Sequence, residues 1–140
     1  MDPKTTLSDL EAFARTCIAA HRYPGDAHFF KAFKCDTCGV VPFELIIEHH
    51  TGSKKGNFRG TITGRCSECG VSKRVFSFTG KHREPLREEK PACKCGHTEF
   101  IVAECERIER DDGMIGFFDE GVVVGKCSRC DRNRALVYTD

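Results

Sequence analysis

Gly60-Thr61-Ile62-Thr63-Gly64-Arg65-Cys66-Ser67-Glu68-Cys69 aligns without a gap on Gly121-Val122-Val123-Val124-Gly125-Lys126-Cys127-Ser128-Arg129-Cys130. The shared pattern is G-x-[IV]-x-G-[RK]-C-S-x-C. Upstream of each copy lies another cysteine pair, Cys35-Asp36-Thr37-Cys38 and Cys93-Lys94-Cys95. Gly follows Cys38 and Cys95, and Phe43 and Phe100 stand four residues after those glycines. Downstream, Arg74-Val75-Phe76-Ser77-Phe78-Thr79 matches Arg134-Ala135-Leu136-Val137-Tyr138-Thr139. Metal turns alone require neither the glycines nor the trailing strand, so the chain reads as an internal duplication.

Composition narrows the class. The chain has 140 residues, 39% hydrophobic and 31% charged, with 11 Phe to bury and no Trp. No apolar run approaches the roughly 18 residues of a membrane span, and Met1-Asp2-Pro3-Lys4 does not read as a signal or transit peptide. The expectation is an intracellular protein in a reducing compartment, cytoplasm or nucleus, with no membrane. The 10 Cys then point to metal rather than to disulfides.

A Cys-x2-Cys turn aims two thiolates at one ion, and two such turns complete a tetrahedral site. Pairing the turns in order gives two sites, Cys35, Cys38, Cys66 and Cys69, then Cys93, Cys95, Cys127 and Cys130. The expected cofactor is two structural zinc ions. Four thiolates leave no position open for water or substrate, unlike a catalytic zinc. Cys93-Lys94-Cys95 is one residue shorter than the other pairs, and His97, two residues on, is the alternative ligand to Cys93. Cys17 and Cys105 fall on apolar faces and read as small buried residues.

Alternation of apolar and polar residues supplies the strands. Phe43, Leu45 and Ile47 alternate with glutamates, a turn follows at 53–57, and strands run over 58–65 and 71–78. The second copy repeats this at 100–109, 122–126 and 134–138. The predicted fold is a small metal-stabilised β protein, with two tandem three-stranded antiparallel zinc ribbons preceded by one N-terminal α-helix. This pattern resembles the zinc-ribbon superfamily over residues 33 to 140. Two ribbons in so short a chain look like the small two-ribbon subunit of RNA polymerases and like transcription-factor ribbons.

The rest of the chain fills in around the ribbons. Leu7, Leu10, Ala14 and Cys17 form the stripe of a helix over 6–21, with Ser8 and Glu11 as a capping box and Tyr23-Pro24-Gly25 as the stop. The first ribbon's sheet is the expected cover for that stripe, with docking on a partner as the alternative. The charged stretch 81–91, bounded by Gly80 and Pro91, reads as a linker. The predicted divisions are thus 1–26, helix and turn; 27–80, ribbon one; 81–91, linker; and 92–140, ribbon two.

Net charge is only +1, yet it is unevenly spread. Residues 51–90 hold ten basic and four acidic side chains, a net +6, while 91–125 hold three and eight, a net −5. Lys54, Lys55, Arg59, Arg65, Lys73 and Arg74 are the candidate nucleic-acid contacts, a surface suited to phosphates. The acidic hairpin 104–120 suits a protein or a metal instead.

The expected function is a non-enzymatic zinc-binding module that binds nucleic acid or a nucleic-acid-processing complex such as transcription machinery, with no small-molecule substrate. One alternative is an accessory subunit that binds only protein, docking through helix 6–21. Another rests on a resemblance to the transcript-cleavage ribbon, whose acidic hairpin tip reaches a polymerase metal. Asp111-Asp112-Gly113-Met114 is similar, though with Asp112 for Glu and Gly113 for Pro. A rubredoxin-like iron site has the Cys-Gly turns at Cys38-Gly39 and Cys69-Gly70 but lacks the family's Pro. His49 and His50 fall on opposite strand faces and make no single site.

Overall fold

The computed structural model describes residues 3–18, 27–54, 56–78, 85–111 and 114–139. Its elements are α1 (Pro3–Cys17), β1 (Ala27–Ala32), β2 (Phe43–His50), β3 (Gly60–Cys66), β4 (Ser72–Phe78), β5 (Pro85–Glu89), β6 (Glu99–Asp111), β7 (Met114–Cys127) and β8 (Asn133–Thr139). The two three-stranded units are present as β2-β3-β4 and β6-β7-β8, but they are not separate sheets. All eight strands belong to one sheet, in the order β4-β3-β2-β6-β7-β8, with β1 on β6 and β5 on β2.

The seam between the units has a simple symmetry. Phe43 pairs with Phe100, and Glu44 with Glu99, in an antiparallel register. Phe43 and Phe100 are equivalent positions of the duplication, so a pseudo-two-fold axis passes between them. The flanking strands respect the same axis. β1, which leads into the first copy, pairs with β6 of the second from Ala27↔Ile108 to Ala32↔Ala103. β5, which leads into the second copy, pairs with β2 of the first from Ile47↔Glu89 to His50↔Pro85. Each copy thus lends its leading strand to the other.

Two sequence expectations are corrected by this arrangement. The presumed linker 81–91 carries strand β5, and residues 81–84 lie outside the described set. Leu86-Arg87-Glu88-Glu89 has the composition of a linker because a strand held by backbone hydrogen bonds needs no apolar side chains. β1, expected within the first ribbon, lies on the second.

The duplication reaches into fine structure. A register shift interrupts β3–β4 between Ile62 and Thr63, and β7–β8 between the matching Val123 and Val124. A Cβ placed on Gly64 would meet Val75 Cγ2 at 2.8 Å and Phe43 Cβ at 3.3 Å; on Gly125 it would meet Leu136 Cδ1 at 3.2 Å and Phe100 Cβ at 3.3 Å. In each copy, glycine lets the seam phenylalanine lie flat across the neighbouring strand. Phe43, Leu45, Ile47, Phe58 and Ile62 bury against Phe100, Val102, Val123 and Val137 in one core shared by both copies.

The copies differ on their outer faces. In the first, Glu44, Ile46, Glu48, Thr61, Thr63, Arg65 and Arg74 face outward, all exposed or half-buried. The equivalent positions in the second are Ile101, Ala103, Cys105, Val122, Val124, Lys126 and Ala135; the last corrects the sequence match of Arg74 with Arg134 by one residue, because Arg74 lies opposite Thr63 and Ala135 opposite Val124, whereas Arg134 lies opposite Gly125 as Lys73 lies opposite Gly64. There α1 covers the face, and Leu10, Ala14 and Ile18 bury against Ala103, Cys105, Val122 and Val124. The helix stripe is therefore covered by the second ribbon, not the first. Burying each large apolar side chain there is worth ~1.5–3 kcal/mol.

The helix begins at Pro3, a residue suited to the first helical position, and runs to Cys17. Ser8 and Glu11 therefore lie inside it and form no cap. The stop at Tyr23-Pro24-Gly25 falls outside the described residues. Lys126, the counterpart of exposed Arg65, is buried beneath the helix, where its Nζ donates to Asp9 Oδ2 and to Asp131 O at 3.0 Å. None of the helices is long and apolar enough, among the described residues, to cross a membrane.

Candidate metal centres

The four cysteine turns sit at the end of the sheet where the seam lies. Cys35, Cys38, Cys66 and Cys69 bring their sulfurs within 4.8 Å of one another, and Cys93, Cys95, Cys127 and Cys130 do the same. Cys35 and Cys69 sulfurs are 3.6 Å apart, Cys93 and Cys130 3.3 Å, and Cys95 and Cys127 3.6 Å. Ligands ~2.3 Å from a tetrahedral zinc lie ~3.8 Å from each other, so both clusters fit one such ion. A disulfide requires sulfurs ~2.05 Å apart, and all ten cysteines are free.

Local backbone chemistry builds each turn. Cys35 N–H donates to Gly39 O at 2.8 Å and Gly39 N–H returns to Cys35 O at 2.9 Å, with Gly39 at φ 81°. The shorter Cys93 turn closes in the same way: Cys93 N–H donates to His97 O at 2.8 Å, and Gly96 has φ 91°. On the other side, Gly70 N–H reaches Cys66 O and Asp131 N–H reaches Cys127 O. Gly70 takes φ 77° and Asp131 φ 64°, a left-handed position that Asp tolerates better than most side chains.

Amide donors also face the sulfurs. Glu68 and Cys69 N–H point at Cys66 Sγ at 3.4 and 3.5 Å, and Arg129 N–H points at Cys127 Sγ at 3.4 Å. Backbone hydrogen bonding from the Cys38 amide lowers the Cys35 thiol to about 7, and that from Cys95 lowers Cys93 to about 6. Cys38 goes the other way, pushed up to about 12 by desolvation and its thiol neighbours. In Cys130 the Arg132 amide favours the thiolate, but Cys93 and the other thiols outweigh it and raise the group to about 12. Each cluster therefore offers a ready thiolate beside thiols that ionise only when a cation arrives.

His97 is no ligand. Its Nε2 lies 2.7 Å from Ser128 Oγ and 3.5 Å from Glu99 Oε1, and Cys93 completes the tetrad. Cys105 is fully buried, with burial raising its thiol to about 11, and Cys17 is half-buried in the same cluster under α1.

The six candidate nucleic-acid residues do not form one patch. Arg65 and Arg74 share the open outer face, where Arg74 lies opposite Thr63 and Arg65 lies opposite both Ser72 and Glu44. Lys73 turns to the other face, bonds Asp36 at 3.1 Å and sits 5.1 Å from the Phe33 ring centre. Arg59 lies 4.6 Å from the centre of Phe78, its Nη1 bonded to Asn57 and to Phe58 O. Lys54 is exposed in the hairpin, and Lys55 falls outside the described residues. Of the acidic hairpin, Glu104 and Glu106 are half-buried and Glu120 pairs with buried Arg107 at 3.2 Å. Asp112 and Gly113, expected from the sequence at the hairpin tip, are outside the described set.

Sequence reading missed one trio. His49 Nδ1 lies 3.2 Å from Ser53 Oγ and its Nε2 3.0 Å from Glu89 Oε1, while Ser53 Oγ also accepts Arg59 N–H at 3.2 Å. These bonds tie the β2–β3 hairpin to β5. Only the pairing of β5 with β2 brings Glu89 there, so no local pattern reveals it.

Two tetrads of this kind in a small, mostly antiparallel β protein are consistent with zinc-ribbon architecture and with two bound metal ions. In comparisons with protein-family models, curated proteins and solved structures, nothing matches this chain.

Proposed function

We propose that this protein is a non-enzymatic module, folded around two structural zinc ions, that binds nucleic acid or a nucleic-acid-processing complex through the outer face of β2-β3-β4. One observation carries the reading: the duplicated face is apolar and sealed by α1 in the second copy, but polar and open in the first. Thr61, Thr63, Arg65 and Arg74 replace Val122, Val124, Lys126 and Ala135. Arg65 has Glu44 opposite it across the β2–β3 ladder and Arg74 has Thr63, and hydroxyls and guanidinium groups together suit phosphate and sugar oxygens. Closed tetrads support the non-enzymatic part, because a four-thiolate zinc has no vacancy for a reacting water.

Titration of the zinc-loaded protein with labelled single-stranded and duplex DNA and RNA, at low and physiological salt, tests the proposal. Binding is expected, and Arg65→Glu with Arg74→Glu should weaken it and reduce the slope of log K against log salt by roughly 2. Absence of binding at low salt would overturn the nucleic-acid reading. Because Glu44 and Glu48 share that face, the protein-only accessory role would then stand in its place.

A further inference from the structure

The outer face of β2-β3-β4 is divided by charge. Its β3–β4 half carries Arg65 and Arg74 among the hydroxyls of Thr61, Thr63, Ser72 and Ser77, and, among the described residues, no acid. On the β2 half the ladders bring four glutamates together. Glu44 lies directly opposite Glu99 of β6, and Glu48 directly opposite Glu88 of β5. Like charges placed opposite one another on neighbouring strands are destabilising. Among the described residues, Glu44, Glu48 and Glu88 form no ion pair, and Glu99 has His97 at 3.5 Å. The fold does not require these carboxylates, since Ile101 and Cys105 occupy the positions of Glu44 and Glu48 in the second copy. Glu44, Glu88, Arg65 and Arg74 are all exposed, so the face is open.

The two halves match each other. A two-fold axis lying in the face, parallel to the strands and midway between β2 and β3, turns a second molecule over so that its β2 lies on β3 and its β5 on β4. Heights along the strands are kept. Arg65 and Glu44 are register partners, so Arg65 of each molecule meets Glu44 of the other. Thr61 and Glu48 are register partners too, which sets the Thr61 hydroxyl on Glu48 of the other molecule. Ser77, opposite Thr61, lands on Glu88, opposite Glu48. Arg74, level with Thr63 and Ile46, comes down between the two glutamate pairs. Stacked sheets lie ~10 Å apart with their strands within ~30° of each other, a gap that facing arginine and glutamate side chains span.

We propose that this face is an isologous interface on which two molecules of this chain associate as a homodimer. Four columns ~4.8 Å apart and six rises of ~3.4 Å give a flat patch of roughly 400 Å² on each, short of the ~800 Å² per partner of a stable complex. The dimer is therefore weak and concentration-dependent. It is also sensitive to salt, because exposed charges are screened over ~8 Å at physiological ionic strength. A second molecule supplies the opposed glutamates with cations, which nucleic acid does not. On the reading proposed above, the second molecule and nucleic acid compete for Arg65 and Arg74, so dissociation frees the nucleic-acid face. The association itself does not depend on that reading.

Sedimentation equilibrium of the zinc-loaded full chain, without nucleic acid and from micromolar to millimolar concentration, tests the proposal. A monomer–dimer equilibrium is expected, shifted toward monomer by salt. Glu44→Arg and Arg65→Glu should each weaken it by roughly tenfold or more, because each sets like charges face to face. Both side chains are exposed, so circular dichroism should report the native sheet in either variant. Mixed in equal amounts, the two variants should associate as the unaltered chain does, since each of these positions then meets the opposite charge. A chain that stays monomeric at millimolar concentration, a dimer indifferent to both substitutions, or a mixture as dissociated as its components would each overturn the proposal. Nucleic-acid binding is read separately by the titration above, so either reading can fail while the other stands.

Discussion

Replacing Phe43 by alanine is expected to destabilise both metal centres together. Phe43 is fully buried beside the pseudo-two-fold axis, its ring 4.7 Å from that of Phe33 at an edge-on angle, and it pairs across the seam with Phe100. Losing the buried ring forfeits ~1.5–3 kcal/mol of transfer free energy, and losing the aromatic pair ~0.5–1.5 kcal/mol more. With the residual cavity, the total is ~3–5 kcal/mol. On a urea slope of ~2 kcal/mol per molar, the midpoint falls by roughly 2 M. The assay is urea unfolding of the cadmium-substituted protein, with one cadmium NMR resonance followed for each tetrad alongside far-UV circular dichroism. Because the seam belongs to both copies, all three signals should move to the same lower midpoint. A variant that loses the Cys35 tetrad early while the Cys93 tetrad keeps its original midpoint would refute a shared core.

The strand exchange makes a related prediction: fragments 1–80 and 81–140 should each stay unfolded with zinc, and regain the sheet when mixed, as read by circular dichroism. A folded single fragment would count against the exchange. Gly64→Ala and Gly125→Ala should each cost ~1–3 kcal/mol in thermal melts, with Gly64 the more sensitive because its Cβ meets Val75 at 2.8 Å. Equal tolerance of both would undermine the packing described at the seam. Zinc affinity should fall as pH falls, since Cys35 and Cys93 lose their thiolates below about 7 and about 6. Each zinc should release roughly three protons above those values and roughly four below them. Calorimetry in buffers of different ionisation enthalpy measures that number, and a count near zero at either pH would contradict thiolate ligation. Cys66→Ala or Cys127→Ala should lower bound metal to one equivalent or less by elemental analysis, whereas two retained equivalents would refute the ligand sets.

The two cysteine tetrads were legible because cysteine spacing is a local code, and the repeat around Cys66 and Cys127 groups the turns as the structure does. Strand existence was legible too, through alternation at Phe43, Leu45 and Ile47. What escaped were the contacts between distant segments. Backbone ladders such as β1 on β6 and β5 on β2 leave no mark in composition, and exposed Arg87-Glu88-Glu89 looks the same in a linker as in an edge strand. One signal was present and unread. Thr61-Ile62-Thr63 alternates, as a strand with one wet face does, but Val122-Val123-Val124 is apolar on both faces. That run alone places the cover on the second copy, and so places α1.

An edge that pairs with its own duplicate about a dyad is what an isologous homodimer interface looks like, and the crossed leading strands are those of a domain-swapped pair. Joining the two protomers in one chain turns a bimolecular association into an internal one, at an effective concentration on the order of millimolar. A direct seam of two residue pairs can then suffice where two free chains would need a larger interface. Fusion also releases the halves from identity: one could turn its outer face into a seat for a helix while the other kept its own exposed to solvent.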